Sequence, residues 1–211
     1  MTVRDIRSVE VFGLPLWEIE LPEMHAHNDE IIALFAGMID SGEIKANAHG
    51  FGYQTPSTLM DQSVFPQTYF RDVLGEFFVE TCRQILMHSP VEVGFPVEWN
   101  NTLTLGWALI QTSDNLGEQP WHAHIPATLS GCYYVSTCGR EDQGNFEFMN
   151  PTAENYFQPA QGQLTPKAGN MIIFPSFLRH RPGPSPQATQ TRISLCLDSY
   201  WTPTVAKAAE T

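Results

Sequence analysis

Residues 121–135 read Trp121-His-Ala-His124-Ile-Pro-Ala-Thr-Leu129-Ser-Gly-Cys-Tyr-Tyr-Val135, a His-x-His step running into a stretch of strand composition. Side chains two apart on an extended segment point to the same face, so His122 and His124 can converge on one point. Two convergent imidazoles on a β framework suggest a metal. A third candidate ligand, His180, lies 58 residues beyond His122 in Phe174-Pro-Ser-Phe-Leu-Arg-His180-Arg-Pro.

The surroundings of that stretch are strand-rich. Apolar runs at 103–111, 129–136, 145–149, 170–174 and 192–200 are separated by Gly, Pro and Asn turns, the pattern of a sandwich or jelly roll. Upstream the pattern is mixed. Short alternating strands at 9–12 and 16–21 precede a helical repeat of Ile31, Leu34, Phe35, Met38 and Ile39, where Asn28-Asp29-Glu30 supplies an N-cap and first-turn acids. A longer helical stripe follows from Phe70 through Val73, Leu74, Phe77, Phe78, Cys82 and Ile85 to Leu86, opened by Pro66 and closed near Ser89-Pro90. The expected fold is mainly β with flanking helices: a jelly roll buttressed by two or three N-terminal helices. With no repeat or linker in the sequence, residues 1–211 are read as one domain, 1–96 a mixed α/β support and 97–203 the jelly-roll core.

Twelve residues past His180, Arg192-Ile-Ser194 opens a strand in which Ile193, Leu195 and Leu197 face one way and Arg192, Ser194 and Cys196 the other. An arginine turned into a jelly-roll interior must be paired, because an isolated buried charge costs several kcal/mol. No carboxylate of the chain is obviously placed to meet it. A ligand carboxylate would satisfy the guanidinium bidentately, with the Ser194 hydroxyl donating to the same group. Tyr133 and Tyr134 point to opposite faces of their strand, so one of them can reach the same interior. Trp107 and Trp121 are candidate substrate contacts and, with Tyr200 and Trp201, candidate walls of an opening, against the commoner role of strand aromatics as core. Arg179 and Arg181 flank His180 and are expected to face away, on the surface.

A second His-x-His lies in Met24-His25-Ala-His27-Asn-Asp29. It begins a helix, where His27 and Asp29 are about 200° apart around the axis, so it is read as a capping segment and not a ligand pair. His88 suits a helix C-terminus and His49 a Gly-rich turn.

The composition limits the partners. Of 211 residues, 23 are acidic and 11 basic, for a formal charge of −12. That deficit of Lys and Arg argues against nucleic acid and against an anionic membrane surface. No run approaches the ~18 apolar residues of a membrane span, and the first residues lack a signal core, so a cytoplasmic protein is expected. Four cysteines without a Cys-x-x-Cys pair are read as reduced core residues.

The order His122-x-His124, His180, Arg192-x-Ser194 resembles the Fe(II)/2-oxoglutarate-dependent oxygenases. The runs 122–135 and 166–180, with Arg192-Ile-Ser194, resemble a 2-oxoglutarate/Fe(II) oxygenase family with the pattern H-x-H, S-G-x-Y-Y, P-x-G, F-P-S, H and R-I-S. The resemblance spans about residues 100–200. It implies a double-stranded β-helix with His122, His124 and His180 as iron ligands, Arg192 assisted by Ser194 on the far carboxylate of 2-oxoglutarate, and the inward tyrosine beside it. It further implies oxidation, as hydroxylation, of a small-molecule or amino-acid-like substrate with release of succinate and CO2, and no catalytic side chain beyond the ligands. Oligomeric state is open, a homodimer included.

His124 stands where most such enzymes carry Asp or Glu. Three neutral imidazoles leave an iron site at +2, one unit more positive than usual, and a position outside the ligand shell is the alternative for His124. Metal binding should weaken below about pH 6, since imidazoles ligate only when neutral. Two other readings compete: a cupin-type three-histidine iron dioxygenase without 2-oxoglutarate, and a non-catalytic jelly-roll metal-binding protein.

Overall fold

The computed structural model describes residues 7–48, 50–88, 97–112, 118–151 and 159–205. His49 and the helix stop at Ser89-Pro90 lie outside them. Strands β1 (Arg7–Val11) and β2 (Leu14–Glu20) form a hairpin, followed by a short turn of helix α1 (Pro22–His25) and by α2 (Asn28–Asp40). The two-residue β3 (Tyr53–Gln54) and a π-helical stretch at Tyr69–Gly75 lead into α3 (Glu76–His88). The single long helix expected after Pro66 is therefore widened over its first turns. The second half supplies β4 (Val97–Gln111), β5 (Leu129–Ser136), β6 (Phe146–Met149), β7 (Gln161–Leu164), β8 (Asn170–Pro175), β9 (His180–Pro182) and β10 (Arg192–Val205).

These strands build two antiparallel sheets, one ordered β1-β2-β8-β5-β10-β4-β3 and one ordered β7-β6-β9. The fold class expected from the sequence, a mainly β jelly roll flanked by a few helices, is the one observed. Strands β3, β7 and β9 are too short to show a period of their own in the sequence, and only the pairing with longer neighbours defines them.

The large sheet has two apolar faces, and β10 shows why. Ile193, Leu195 and Leu197 join Tyr133, Ala108, Ile110, Met171 and Ile173 in a core completed by Ile31 and Phe35 of α2 and by Phe78, Cys82 and Ile85 of α3. Gly131 is where α3 comes closest: a Cβ there would sit 2.7 Å from the Phe78 ring, so the helix can lie flat on β5 only because that side chain is missing. The other face packs Cys132, Tyr134, Ile172, Phe174 and Cys196 against Phe146, Phe148 and Leu178 of the small-sheet side. Between the sheets, toward one end, that second layer opens into a cleft.

The expected N-cap at Asn28 is not observed. His27 precedes the first helical residue without a side-chain cap, and Asn28 donates to the Val135 carbonyl (2.8 Å) while accepting from the Tyr133 hydroxyl (2.8 Å). A buried amide has more to gain from satisfying two groups of the sheet than from capping its own helix. His27 stacks on Tyr69 at 4.6 Å, so the second His-x-His carries no ligand pair, as read. His88 ends α3 with Nδ1 2.8 Å from the Gln84 carbonyl oxygen. No helix of the described residues is long and apolar enough to cross a membrane.

Candidate active site

His122 and His180 face each other across an antiparallel bridge: the amide of His122 donates to the His180 carbonyl (3.1 Å) and that of His180 to the His122 carbonyl (2.9 Å). The segment before β5 thus adds itself to the β9 edge of the small sheet. His124 is fixed by its own amide, which donates to the Ser176 carbonyl at 2.9 Å. The three rings then converge, with centroid separations of 5.1, 4.5 and 4.9 Å and one ligand nitrogen from each within 4.8 Å of the others. Two nitrogens on one ion sit roughly 3–4 Å apart, given metal–nitrogen bonds of about 2.1 Å, so little closure is needed.

Each ring has its Nδ1 engaged. His122 Nδ1 lies 2.9 Å from the Pro120 carbonyl oxygen, His180 Nδ1 2.9 Å from that of Leu178, and His124 Nδ1 2.8 Å from a carboxylate oxygen of Asp198. Carbonyl and carboxylate oxygens only accept, so Nδ1 carries the proton in all three rings and the Nε2 lone pair is left for a metal. This donor set fits an iron ion.

The titration behaviour of the rings differs. Burial holds His122 below the ordinary histidine value, and burial together with the neighbouring His122 takes His180 down to about 3. Burial also pulls on His124, but the hydrogen bond and charge of Asp198 outweigh it and leave that ring raised above 6.5. Protons therefore compete for the site first at His124, in a higher range than the pH 6 expected from the sequence. Co(II) affinity measured from about pH 8 down to about pH 5 should begin to fall above pH 6.5, the ordinary value that His124 exceeds. A fall confined to pH values below that would contradict it.

A cleft adjoins the three rings, bounded by Trp107, Leu109, Gln119, Tyr134, Phe146, Pro182, Arg192, Ser194 and the Cys132–Cys196 pair. Its floor is a cross-strand lattice: Ser194 lies opposite Leu109 and Tyr134, and Cys196 opposite Trp107 and Cys132. A bulge between Ile193 and Ser194 sets Tyr134 against Ser194. Arg192 is 3 % exposed and meets no carboxylate among the described residues; its partner there is the neutral Gln111 Oε1 at 2.8 Å. Arg192 Nε and the Tyr134 hydroxyl are buried without a hydrogen-bond partner among the described residues, and the guanidinium stands 5.4 Å from the Tyr134 ring. A buried cation with an open N–H beside an open hydroxyl is a cradle for an anion.

Several expectations are corrected. Tyr133 turns away from the cleft into the helix-side core, held by Asn28, so Tyr134 is the inward tyrosine. Trp107 borders the cleft, its ring 5.3 Å from that of His124, but Trp121 does not; it lies under the Arg181 guanidinium at 4.6 Å. Trp201 packs in the helix-side core. Arg181 is no free surface residue, since it pairs with Glu147 (2.8 Å) and Glu118 (3.1 Å), while Arg179 is exposed. All four cysteines are free and buried, yet Cys132 and Cys196 border the cleft, with the Cys132 thiol donating to Cys196 at 3.8 Å.

Four polar residues of the site had no role in the sequence reading: Gln111, Gln119, Ser130 and Asp198. Ser130 stands in the S-G-x-Y-Y pattern without a function attached, and Asp198 carries a positional signal. Asp198 continues the alternation Arg192, Ser194, Cys196 by one more step onto the same face.

A jelly roll that gathers three imidazoles and an inward arginine in one cleft resembles the Fe(II)/2-oxoglutarate-dependent oxygenases. The likeness extends to sequence: residues 106–198 match the family described as "Putative 2OG-Fe(II) oxygenase". No curated protein gives a significant match. Among solved structures, a prolyl 4-hydroxylase of Phytophthora capsici superposes with a TM-score of 0.60 at 13 % identity, over 94 % of this chain and 68 % of its own. HygX of Streptomyces hygroscopicus, solved with nickel and 2-oxoglutarate, gives 0.57 at 11 % identity over 88 % and 82 %. A prolyl-4-hydroxylase of Pseudomonas putida gives 0.54 at 12 % identity over 89 % and 92 %. At such identities the likeness is one of fold.

Proposed function

We propose that this chain is an Fe(II)/2-oxoglutarate-dependent oxygenase that hydroxylates a small-molecule or amino-acid-like substrate. 2-Oxoglutarate and dioxygen would be consumed, with release of succinate and CO2. The observation that carries the reading is Arg192, buried with an open N–H in the same cleft as the three histidines. Cupin-type dioxygenases share the three-imidazole donor set but have no use for that arginine. Four free buried cysteines support a reducing, cytoplasmic setting.

His122, His124 and His180 would hold the iron through Nε2, leaving positions open for cosubstrate and dioxygen. When bound, Fe(II) with 2-oxoglutarate supplies the oxidising power that no side chain of the chain has. Arg192 and Ser194 would take the far carboxylate, and the Tyr134 hydroxyl donates to it or to an adjacent oxygen. Burial keeps the Tyr134 phenol protonated, so it retains a proton to donate. Trp107, Leu109, Phe146 and Pro182 exclude water from the space where the substrate would react.

Anaerobic Fe(II)-loaded protein mixed with 2-oxoglutarate tests the reading. A visible metal-to-ligand charge-transfer band is expected. Absence of the band, with no succinate formed when oxygen is admitted, would return the site to one of the two competing readings.

A further inference from the structure

The outer partners of the three histidines are unequal. His122 and His180 give their Nδ1 protons to neutral carbonyls, whereas His124 gives its proton to a carboxylate. That carboxylate, Asp198, is 6 % exposed on β10, a strand with neighbours on both sides. Leu105 stands opposite it on β4 and Ser130 opposite it on β5. The Ser130 hydroxyl donates to the same oxygen at 2.6 Å and reaches to 3.3 Å from His124 Nδ1. Among the described residues His124 is its only ion-pairing partner. A buried anion so enclosed is stabilised by positive charge on or beyond the ring it touches, and when His124 is neutral a metal on Nε2 supplies that charge.

We infer that Asp198, held by Ser130, is a positioning residue that acts through His124. It fixes the ring with Nε2 toward the metal and adds negative charge to the centre one hydrogen bond away from the ion. A centre of three neutral imidazoles lacks the anionic ligand that two-histidine, one-carboxylate iron sites contain. Here the carboxylate is present but set behind His124, where it strengthens that imidazole as a donor without occupying a coordination position. The inference rests on the proposed function for the identity of the metal, but its test does not.

The test compares the full chain with Asp198→Asn, which keeps an oxygen acceptor of the same shape and removes the charge. Calorimetric titration with Co(II), without 2-oxoglutarate, is expected to give about 10- to 100-fold weaker binding in the variant, the usual effect of removing such an outer partner. With Fe(II) and 2-oxoglutarate under anaerobic conditions, the charge-transfer band of the variant is expected at higher energy, because a less electron-rich iron holds its d electrons more tightly. Equal Co(II) affinity in a folded variant overturns the inference. Should Asp198→Asn not fold, Ser130→Ala decides: it leaves the charge but frees the carboxylate to turn, and an affinity equal to that of the parent overturns the inference likewise. A parent protein that binds Co(II) yet gives no band defeats the oxygenase reading alone and leaves the Co(II) comparison standing.

Discussion

Replacing Arg192 with alanine is expected to weaken 2-oxoglutarate binding by roughly 30- to 1000-fold, the equivalent of about 2–4 kcal/mol for two charge-assisted hydrogen bonds. Metal binding should survive, because none of the three imidazoles hydrogen-bonds to the guanidinium. The fold should tolerate the change as well. Without ligand, the arginine is a buried cation whose hydrogen-bond partner among the described residues is one neutral amide oxygen, so removing it leaves Gln111 to be resatisfied. In thermal melts the parent should therefore be stabilised by 2-oxoglutarate and the variant should not, while the unliganded melting temperatures stay close. Unchanged 2-oxoglutarate affinity in Arg192→Ala would remove the cosubstrate from this cleft.

His180→Ala is expected to have the larger effect on the metal, exceeding the roughly 10- to 100-fold cost of losing an outer hydrogen-bond partner. The ring is buried, stacked on Phe146 with centroids 5.3 Å apart and edge-on to Phe174 at 4.5 Å, so it has a single orientation and no substitute nearby. Its strong downward shift means that it presents a neutral nitrogen at any working pH. Co(II) titration of the variant, with circular dichroism to establish that the sheets remain, checks this. Near-parental affinity would mean that the metal is held elsewhere.

Much of the site was legible because strand alternation turns sequence into facing. His122 and His124, and Arg192 and Ser194, each sit two apart, and period two alone puts each pair on one side. The same rule left Tyr133 and Tyr134 undecided: it says that neighbours oppose each other but not which side is the cleft, and Asn28, 105 residues away, settles that. The roles of Gln111 and Ser130 were not legible, because they come from cross-strand register, with Gln111 opposite Arg192 and Ser130 opposite Asp198. Asp198 is visible in the alternation, but period two gives only its face and not that it meets His124, 74 residues away.

The two halves of the site differ in how they can open. Arg192, Ser194, Cys196 and Asp198 ride on β10, which is laddered on both edges by β4 and β5. Its amides can be exposed only when the large sheet itself comes apart, so slow hydrogen exchange limited by global unfolding belongs to this half. His122 hangs instead on a single two-bond bridge at the rim of a three-stranded sheet. Fraying there costs little, and an ion shared among His122, His124 and His180 would clasp that rim to the large sheet through Asp198. Loading the metal is then also a folding event for the rim, and the loose half becomes as slow to exchange as the strand it faces.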